Sequence, residues 1–415
     1  MALLLGMPLF AVILAATMLG FHSSEIDLSV ISAELYRIAN TPLLVALPLF
    51  TFSGYLLSEC NTSERLLRLT RALFGWMPFG LAVISLLTCA AFTAFTGASG
   101  VTIIALGALL LPVLIKEGYD SRFSLGLVTT SGSLGLLLPP SVPLILYGII
   151  VQQINIGEKF TLSQLFMAGL LPSLLMIALL TLWALWANRK ITLDRTEFTC
   201  SEAIVAIKAI AWELPLPIFI IAAIFGGYLA ISEVAAATAL YVLIVEIFIY
   251  KEIRFASLTK VITEAMQMLG GILLILGVSM AFTNFLIDAE VPMHLFDWVK
   301  THIDSKIDFL LLLNLFLLIL GAILDIFSAL VIVVPLIVPI AVSYGIHPIH
   351  LGIIFLANMQ IGYLTPPVGM NLFIASYRFE KSITELYRAT LPFMLILLLA
   401  VFFITYIPWL STWFL

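Results

Sequence analysis

Apolar runs of about 20 residues, the length that crosses a hydrocarbon core as a helix, recur along the whole of this chain. The pattern predicts membrane helices over about 2–20, 41–59, 165–187, 214–230, 234–250, 261–286 and 389–411. Polar residues between them are sparse and grouped. Arg65, Arg68 and Arg71 make one basic group, Lys116 and Arg122 a second, and NRKITLDR (188–195) a third. Lys251, Arg254 and Lys260 make a fourth, and RFEKSITELYR (378–388) a fifth. The Lys/Arg bias of short loops puts all five on the cytoplasmic side. The polar stretch 152–164 and the acid-rich 288–308 then fall outside, the N-terminus inside and the C-terminus outside. Residues 22–40 read as a polar stretch, and 200–212 as a weakly amphipathic segment at the interface.

Four apolar stretches do not fit a plain span. Residues 78–115 and 309–342 are overlong and are interrupted, by TGASG (96–100) and GAILD (321–325). Each reads as two short helices joined at a tip, a re-entrant hairpin. The first opens inside, because basic groups flank both of its ends, and the second opens outside. Residues 123–150 and 349–377 are broken by prolines instead, within SGSLGLLLPPSVPLILYG (131–148) and NMQIGYLTPPVGMNLFIAS (358–376). Paired prolines remove two amide donors and clash with the preceding turn. Irregular backbone survives at membrane depth only where protein buries it or a wet cavity solvates it. The fold class is therefore an all-α polytopic membrane protein, with about nine transmembrane crossings, two hairpins and two discontinuous helices.

The chain also repeats itself. An offset of 227 residues takes Pro139 and Pro140 to Pro366 and Pro367, Gly135 to Gly362, Gly118 to Gly345 and Pro112 to Pro339. Leu171-Pro172 aligns with Leu391-Pro392 after a shorter gap. The two halves face opposite ways, since their hairpins open on opposite sides. The expected organisation is a first inverted repeat over 1–187, a connecting segment over 188–233 and a second inverted repeat over 234–415. Proline-broken helices at corresponding positions of inverted repeats point to the midplane site of an alternating-access carrier.

Composition sharpens this. With 62% hydrophobic and 10% charged residues, the chain lacks the charge a soluble protein of its size needs. No basic cluster of nucleic-acid type occurs. Cys60, Cys89 and Cys200 form no framework, and Cys89 reads as a small core residue. Residues 1–21 lack a basic n-region and a cleavage site, and read as a retained helix. There is no nucleophile elbow, no P-loop lysine and no second membrane acid to pair with Asp325. The chain is expected not to be an enzyme and to need no cofactor, so uphill transport would draw on an ion gradient. The five histidines fall in predicted loops or helix ends and suggest no metal site.

Oxygen-rich features mark the candidate site. A dehydrated hard cation needs several oxygens, which unwound backbone supplies. Thr96 and Ser99 at the first tip would face Ser131, Ser133 and the freed carbonyls of the first break, up to Pro139. Asp325 is the one acid placed deep in an apolar run, and an intramembrane carboxylate is functional by default. It would support a second cation site, with Gly362, Thr365 and Pro366 as the other wall. Substrate would lie between the two breaks, near Ser133, Ser141, Asn358, Gln360 and Asn371. For the three amides, interhelical hydrogen bonding is the competing reading.

The elements GASG, KEGYD, LLLPPS, GAILD and IGYLTPPVG, in this order and spacing, resemble the large membrane subunit of tripartite ATP-independent periplasmic (TRAP) transporters, dicarboxylate type, over nearly the whole chain. The resemblance implies an elevator mechanism in the bacterial inner membrane and coupling to Na+ at two sites, one per repeat. The first would use Gly97, Ser99, Ser131 and Gly135. The second would use Gly321, Asp325, Gly362 and Thr365. It implies two partners, a small four-helix membrane subunit and a periplasmic binding protein that delivers an organic acid. With no extra N-terminal helices, the small subunit is expected to be a separate chain. Where the family commonly has two serines after the tip glycine, this chain has Ala98 and Ser99, so a ligand at 98 must be the carbonyl. No Arg or Lys is evident at membrane depth, so half-helix N-termini are expected to recognise the anion. The competing functions are a stand-alone cation-coupled carboxylate symporter and, from another class, a non-transporting membrane scaffold.

Overall fold

The computed structural model describes residues 7, 9–76, 80–154, 156–189, 199–303 and 305–415, and all regular structure among them is helical. In chain order the helices are α1 (Leu9–Ser23), α2 (Ser29–Ala39), α3 (Ala46–Ser58), α4 (Thr62–Phe74), α5 (Gly80–Thr96), α6 (Ser99–Lys116) and α7 (Ser121–Ser131). There follow α8 (Val142–Ile154), α9 (Leu162–Ala187), α10 (Cys200–Ala209), α11 (Pro215–Phe225), α12 (Ile231–Ile244) and α13 (Phe255–Asp288). The last are α14 (Val291–His302), α15 (Lys306–Ile323), α16 (Ile326–Ser343), α17 (Pro348–Gly362), α18 (Met370–Phe379), α19 (Ile383–Tyr406) and α20 (Trp409–Thr412). Eight helical segments among the described residues are long and apolar enough to cross a membrane, and several shorter apolar helices accompany them.

The first overlong run is the pair α5–α6, which turns at Gly97 and Ala98. The second is α15–α16, which turns at Leu324 and Asp325, so Gly321 lies inside α15 rather than at the turn. The first broken segment stops at Ser131, passes through a short 3-10 turn (Leu134–Leu137) and restarts at Val142. The second stops at Gly362 and restarts at Met370. Both Pro-Pro bonds are cis. The 227-residue offset carries Ser99–Lys116 onto 326–343, the span of α16, and carries α4 close to α14.

Contacts fix the relative direction of the halves. The α7–α8 segment starts beside the open end of the first hairpin. It ends where Gly157 packs on Val342 and Pro348, at the open end of the second. The α17–α18 segment starts at that same end and finishes with Phe379 against Gly107 of α6. The two broken helices therefore run antiparallel. The second arm of each hairpin packs on the second half of the other repeat's broken helix, α6 on α18 and α16 on α8. Helices α3 and α13 pack together and stand against the hairpins, α3 on α5 and α13 on α16.

Four sequence expectations are corrected. Residues 22–40 contain α2, with Ile31 buried. The group at 63–74 and the stretch 288–308 are not loops but hold the amphipathic helices α4 and α14, whose apolar positions recur at helical spacing among the charges. His350 is buried within α17, where its ring nitrogens meet Ser411 Oγ (2.6 Å) and Thr405 O (3.2 Å). Asp325 is not the only acid in an apolar run, since Glu246 is fully buried at the end of α12. Of the expected first helix, 2–6 and 8 lie outside the described residues, as do 190–195 of the basic segment 188–195.

The repeats are also tied by Tyr147 on α8. Its ring is fully buried, and its hydroxyl donates to the Pro348 carbonyl of α17 (2.5 Å). Tyr147→Phe removes that bond, while the carbonyl keeps its place in the α17 ladder, and is expected to cost about 1 kcal/mol, measurable as a lowered unfolding midpoint in detergent. An unchanged midpoint would show that this link carries no stability.

Candidate functional site

The two hairpin tips open into one cavity of about 470 Å³. Residues 97–101 of the first tip and 325–328 of the second line it, with Leu136 and Tyr363 from the two breaks. Tyr55 of α3 and Met268 of α13 form the wall opposite, joined by a contact of 3.3 Å from Tyr55 Oη to Met268 Sδ.

The tips differ in electrostatics. At the first, Gly97 adopts φ +66°, a conformation a side chain would strain, and the helix restarts at Ser99. The N-cap of α6 is Ala98, which offers no side-chain acceptor. The first amides of α6 thus keep their hydrogen-bonding capacity, and the positive end of the helix dipole is uncovered. At the second tip, Asp325 caps α16. Its Oδ1 accepts from the amides of Phe327 and Ser328 (both 3.0 Å), and its Oδ2 accepts from the Ser328 hydroxyl. The amide of Ile326 donates to the Tyr363 hydroxyl at 2.7 Å. Among the described residues, one end of the cavity therefore presents a helix start with no side-chain cap, and the other a carboxylate whose helix start is already occupied.

Behind the first tip lies an oxygen cluster. Thr93 Oγ1 is 2.7 Å from Thr102 Oγ1, 2.9 Å from Gly132 O and 2.8 Å from Cys89 O. Two hydroxyl protons cannot fill all of these contacts, so the cluster is rich in acceptors. Thr93 and Thr102 were missed from sequence, although a signal existed. They stand equally far from the turn at 97–98, so closing the hairpin must bring them face to face. Tyr55, Met268, Ser328 and Tyr363 were missed as well, because nothing local marks which face of a helix meets a cavity.

Of the expected site residues, Gly97, Ser99 and Asp325 line the cavity. Ser131 lies behind it, with its hydroxyl on Val128 O (3.2 Å), and Pro139 is half-buried in the break. Gly135 and Gly362 hold equivalent steric positions. A Cβ on Gly135 would sit 2.2 Å from Ala90 O, and one on Gly362 would sit 2.5 Å from Gly321 Cα. Each break is thus seated on the first arm of its own hairpin by a glycine. Thr365 bonds to Ile361 O (3.0 Å), and Pro366 is exposed.

The five expected substrate-lining residues are not among those that line this cavity. Ser133 bonds to Thr130 O, and Ser141 to Leu136 O. Asn358 donates to Asn314 Oδ1 (2.6 Å) and belongs to an interhelical network reaching Thr405. Gln360 and Asn371 are fully buried in the packing, with side-chain atoms that make no hydrogen bond among the described residues.

Comparison with known proteins supplies a family. The model of the tripartite ATP-independent periplasmic transporter, DctM component, matches residues 1–410. The C4-dicarboxylate TRAP transporter large permease protein DctM of Vibrio cholerae is 31% identical over 415 residues, covering 95% of this chain and 90% of that one. The isethionate TRAP transporter permease protein DctMQ of Oleidesulfovibrio alaskensis is 32% identical over 370 residues and 88% of this chain, which spans 57% of that protein's length. The crystal structure of the YdaH transporter of Alcanivorax borkumensis shares the fold, with TM-score 0.63 over 92% of this chain and 87% of that one, at 16% identity.

Proposed function

Because this chain belongs to the family of the tripartite ATP-independent periplasmic transporter DctM component, we propose that it imports an organic anion with Na+ across the bacterial inner membrane. It works with a small membrane subunit and a periplasmic binding protein. The observation that carries this reading is the polarity of the cavity, with an uncapped helix start at Ser99 facing an acid-capped start at Ile326. A carboxylate or sulfonate fits the first, where amide donors and dipole both favour an anion. Relatives named for C4-dicarboxylates and for isethionate transport such anions. Asp325 would repel an anion and favours the cation. The oxygen cluster at Thr93, Thr102 and Gly132 suits a second Na+. On this reading the hairpins and broken helices, with nine crossings in all, carry the cavity past the wall of α3 and α13 as an elevator. The N-terminus is cytoplasmic and the C-terminus periplasmic.

Ala98→Asp tests the polarity. It would give α6 the cap that Asp325 gives α16 and place a negative charge where the anion binds. Uptake of a panel of labelled organic acids, in proteoliposomes with both partners and a Na+ gradient, is expected to fall at least about tenfold. Ala98→Ser should stay near wild type. Wild-type uptake by Ala98→Asp would overturn this placement of the anion. Flux with this chain alone would favour a stand-alone symporter, and no flux with both partners present a scaffold.

A further inference from the structure

The α3–α4 corner, the turn before α11 and the end of α12 bury a charged group away from the transport cavity. Arg65 on α4 binds the Glu213 carboxylate and donates through Nη1 to Glu252 Oε1 (2.5 Å), with its guanidinium 4.0 Å above the Tyr250 ring. Glu213 also accepts from the Thr62 hydroxyl (2.8 Å), and Glu252 from the Asn61 amide (2.8 Å). Both are satisfied, and Glu246 is not. It lies fully buried in the π-helical turn Val245–Ile249. Neither of its oxygens accepts a hydrogen bond among the described residues, and Arg65 Nη2 stands 3.6 Å away. Such π-turns occur often at functional sites.

Three carboxylates thus share one guanidinium, which leaves two surplus negative charges when all are ionised. Cys60 completes the group. Its thiol donates to Leu56 O (3.1 Å), leaving the sulfur lone pairs free. One ligand atom each from Cys60, Glu246 and Glu252 lie within 4.8 Å of one another. We propose that Cys60, Glu246 and Glu252 bind one divalent transition-metal ion of the zinc class. With Cys60 as thiolate the surplus becomes three, of which a divalent ion offsets two, and sulfur in the ligand set selects zinc-like ions over Mg2+ and Ca2+. Metal–sulfur and metal–oxygen bonds of about 2.3 and 2.0–2.2 Å require the three atoms to draw together. The fourth position falls to water or to a second carboxylate oxygen. The ion takes sulfur as thiolate, and the thiol proton leaves to solvent. Glu252 is partly exposed and gives the ion a way in, while Arg65 orients it from behind. Because α3 and α12 pack along one another, the ion staples those two helices and stays out of the cavity.

The test is titration of the purified full-length chain, stripped with chelator in detergent, with Co2+. The expected result is near-ultraviolet sulfur-to-cobalt charge transfer that saturates at about one equivalent and is displaced by Zn2+. Cys60→Ser should abolish that absorption, and Glu246→Gln should weaken binding about 10–100-fold. Zn2+ should raise the unfolding midpoint of wild type but not of Cys60→Ser. The wild-type titration decides even if a variant fails to fold. No charge transfer at excess Co2+ would overturn the site and leave Glu246 to hold a proton. Absorption that survives Cys60→Ser would overturn it too, by moving the sulfur ligand to Cys89 or Cys200.

Discussion

Gly362→Ala is expected to abolish uptake and to cost the fold about 3 kcal/mol, the upper end of what overpacking costs in a core. The new methyl would sit 2.5 Å from both Cα and C of Gly321. Those are backbone atoms of α15, so no rotamer can yield and the whole helix must shift. Gly135→Ala should do the same in the other repeat, because its methyl would meet Ala90 O at 2.2 Å and Ala94 N at 2.5 Å. Gly270→Ala on α13 is the control. Among the described residues nothing from outside its own helix backbone lies within 4 Å of its Cβ position, and its backbone is not left-handed. Alanine there should be neutral or stabilise by up to about 1 kcal/mol through helix propensity. Unfolding midpoints in detergent and uptake in proteoliposomes read all three. A Gly362→Ala protein as stable as wild type would mean that α15 and α17 do not cross where the structure puts them.

Asp325 separates two roles that one carboxylate combines. Asp325→Ala removes the acceptor for the amides of Phe327 and Ser328, and should cost about 1–2 kcal/mol as a lost N-cap. Asp325→Asn keeps an oxygen for those amides and drops the charge. Its stability should stay near wild type, while Na+-driven uptake falls at least about tenfold and its Na+ dependence shifts to higher concentration. Full transport with unchanged Na+ dependence in Asp325→Asn would remove Asp325 from the cation site. Loss of transport that only tracks loss of stability, in both variants, would reduce Asp325 to a cap.

The scaffold of this fold was legible because lipid leaves so few choices. A broken apolar run must be a re-entrant or discontinuous helix, and the 227-residue offset told which breaks correspond. What was not legible is which way a polar side chain turns. Asn358 marks burial in the sequence, but only the packing turns its amide onto Asn314. Gly135 and Gly362 were read as cation ligands, and the structure gives each a steric role first. Asp325 was legible as an acid deep in an apolar run, but its hydrogen bonds to the next turn were not, since the tip lies four residues beyond Gly321. Helices α4 and α14 were hidden by their own charges. Glu246 went unnoticed because one acid near the end of an apolar run looks like a boundary, and only the turn after it folds the chain back over that side chain.

The exchange of packing between the halves sets an order of events during synthesis. Helix α8 is buried along nearly its whole length, with α16 as its most extensive partner, yet the ribosome makes α16 long after α8. Until then the first half holds a finished helix that meets α3 and α9 but lacks its most extensive partner. It must wait in the membrane, shielded by lipid, by the insertion machinery or by a loose substitute contact. A first half made alone should therefore be a target for proteolysis. The second half, whose α18 needs α6, could rescue it when supplied as a separate chain.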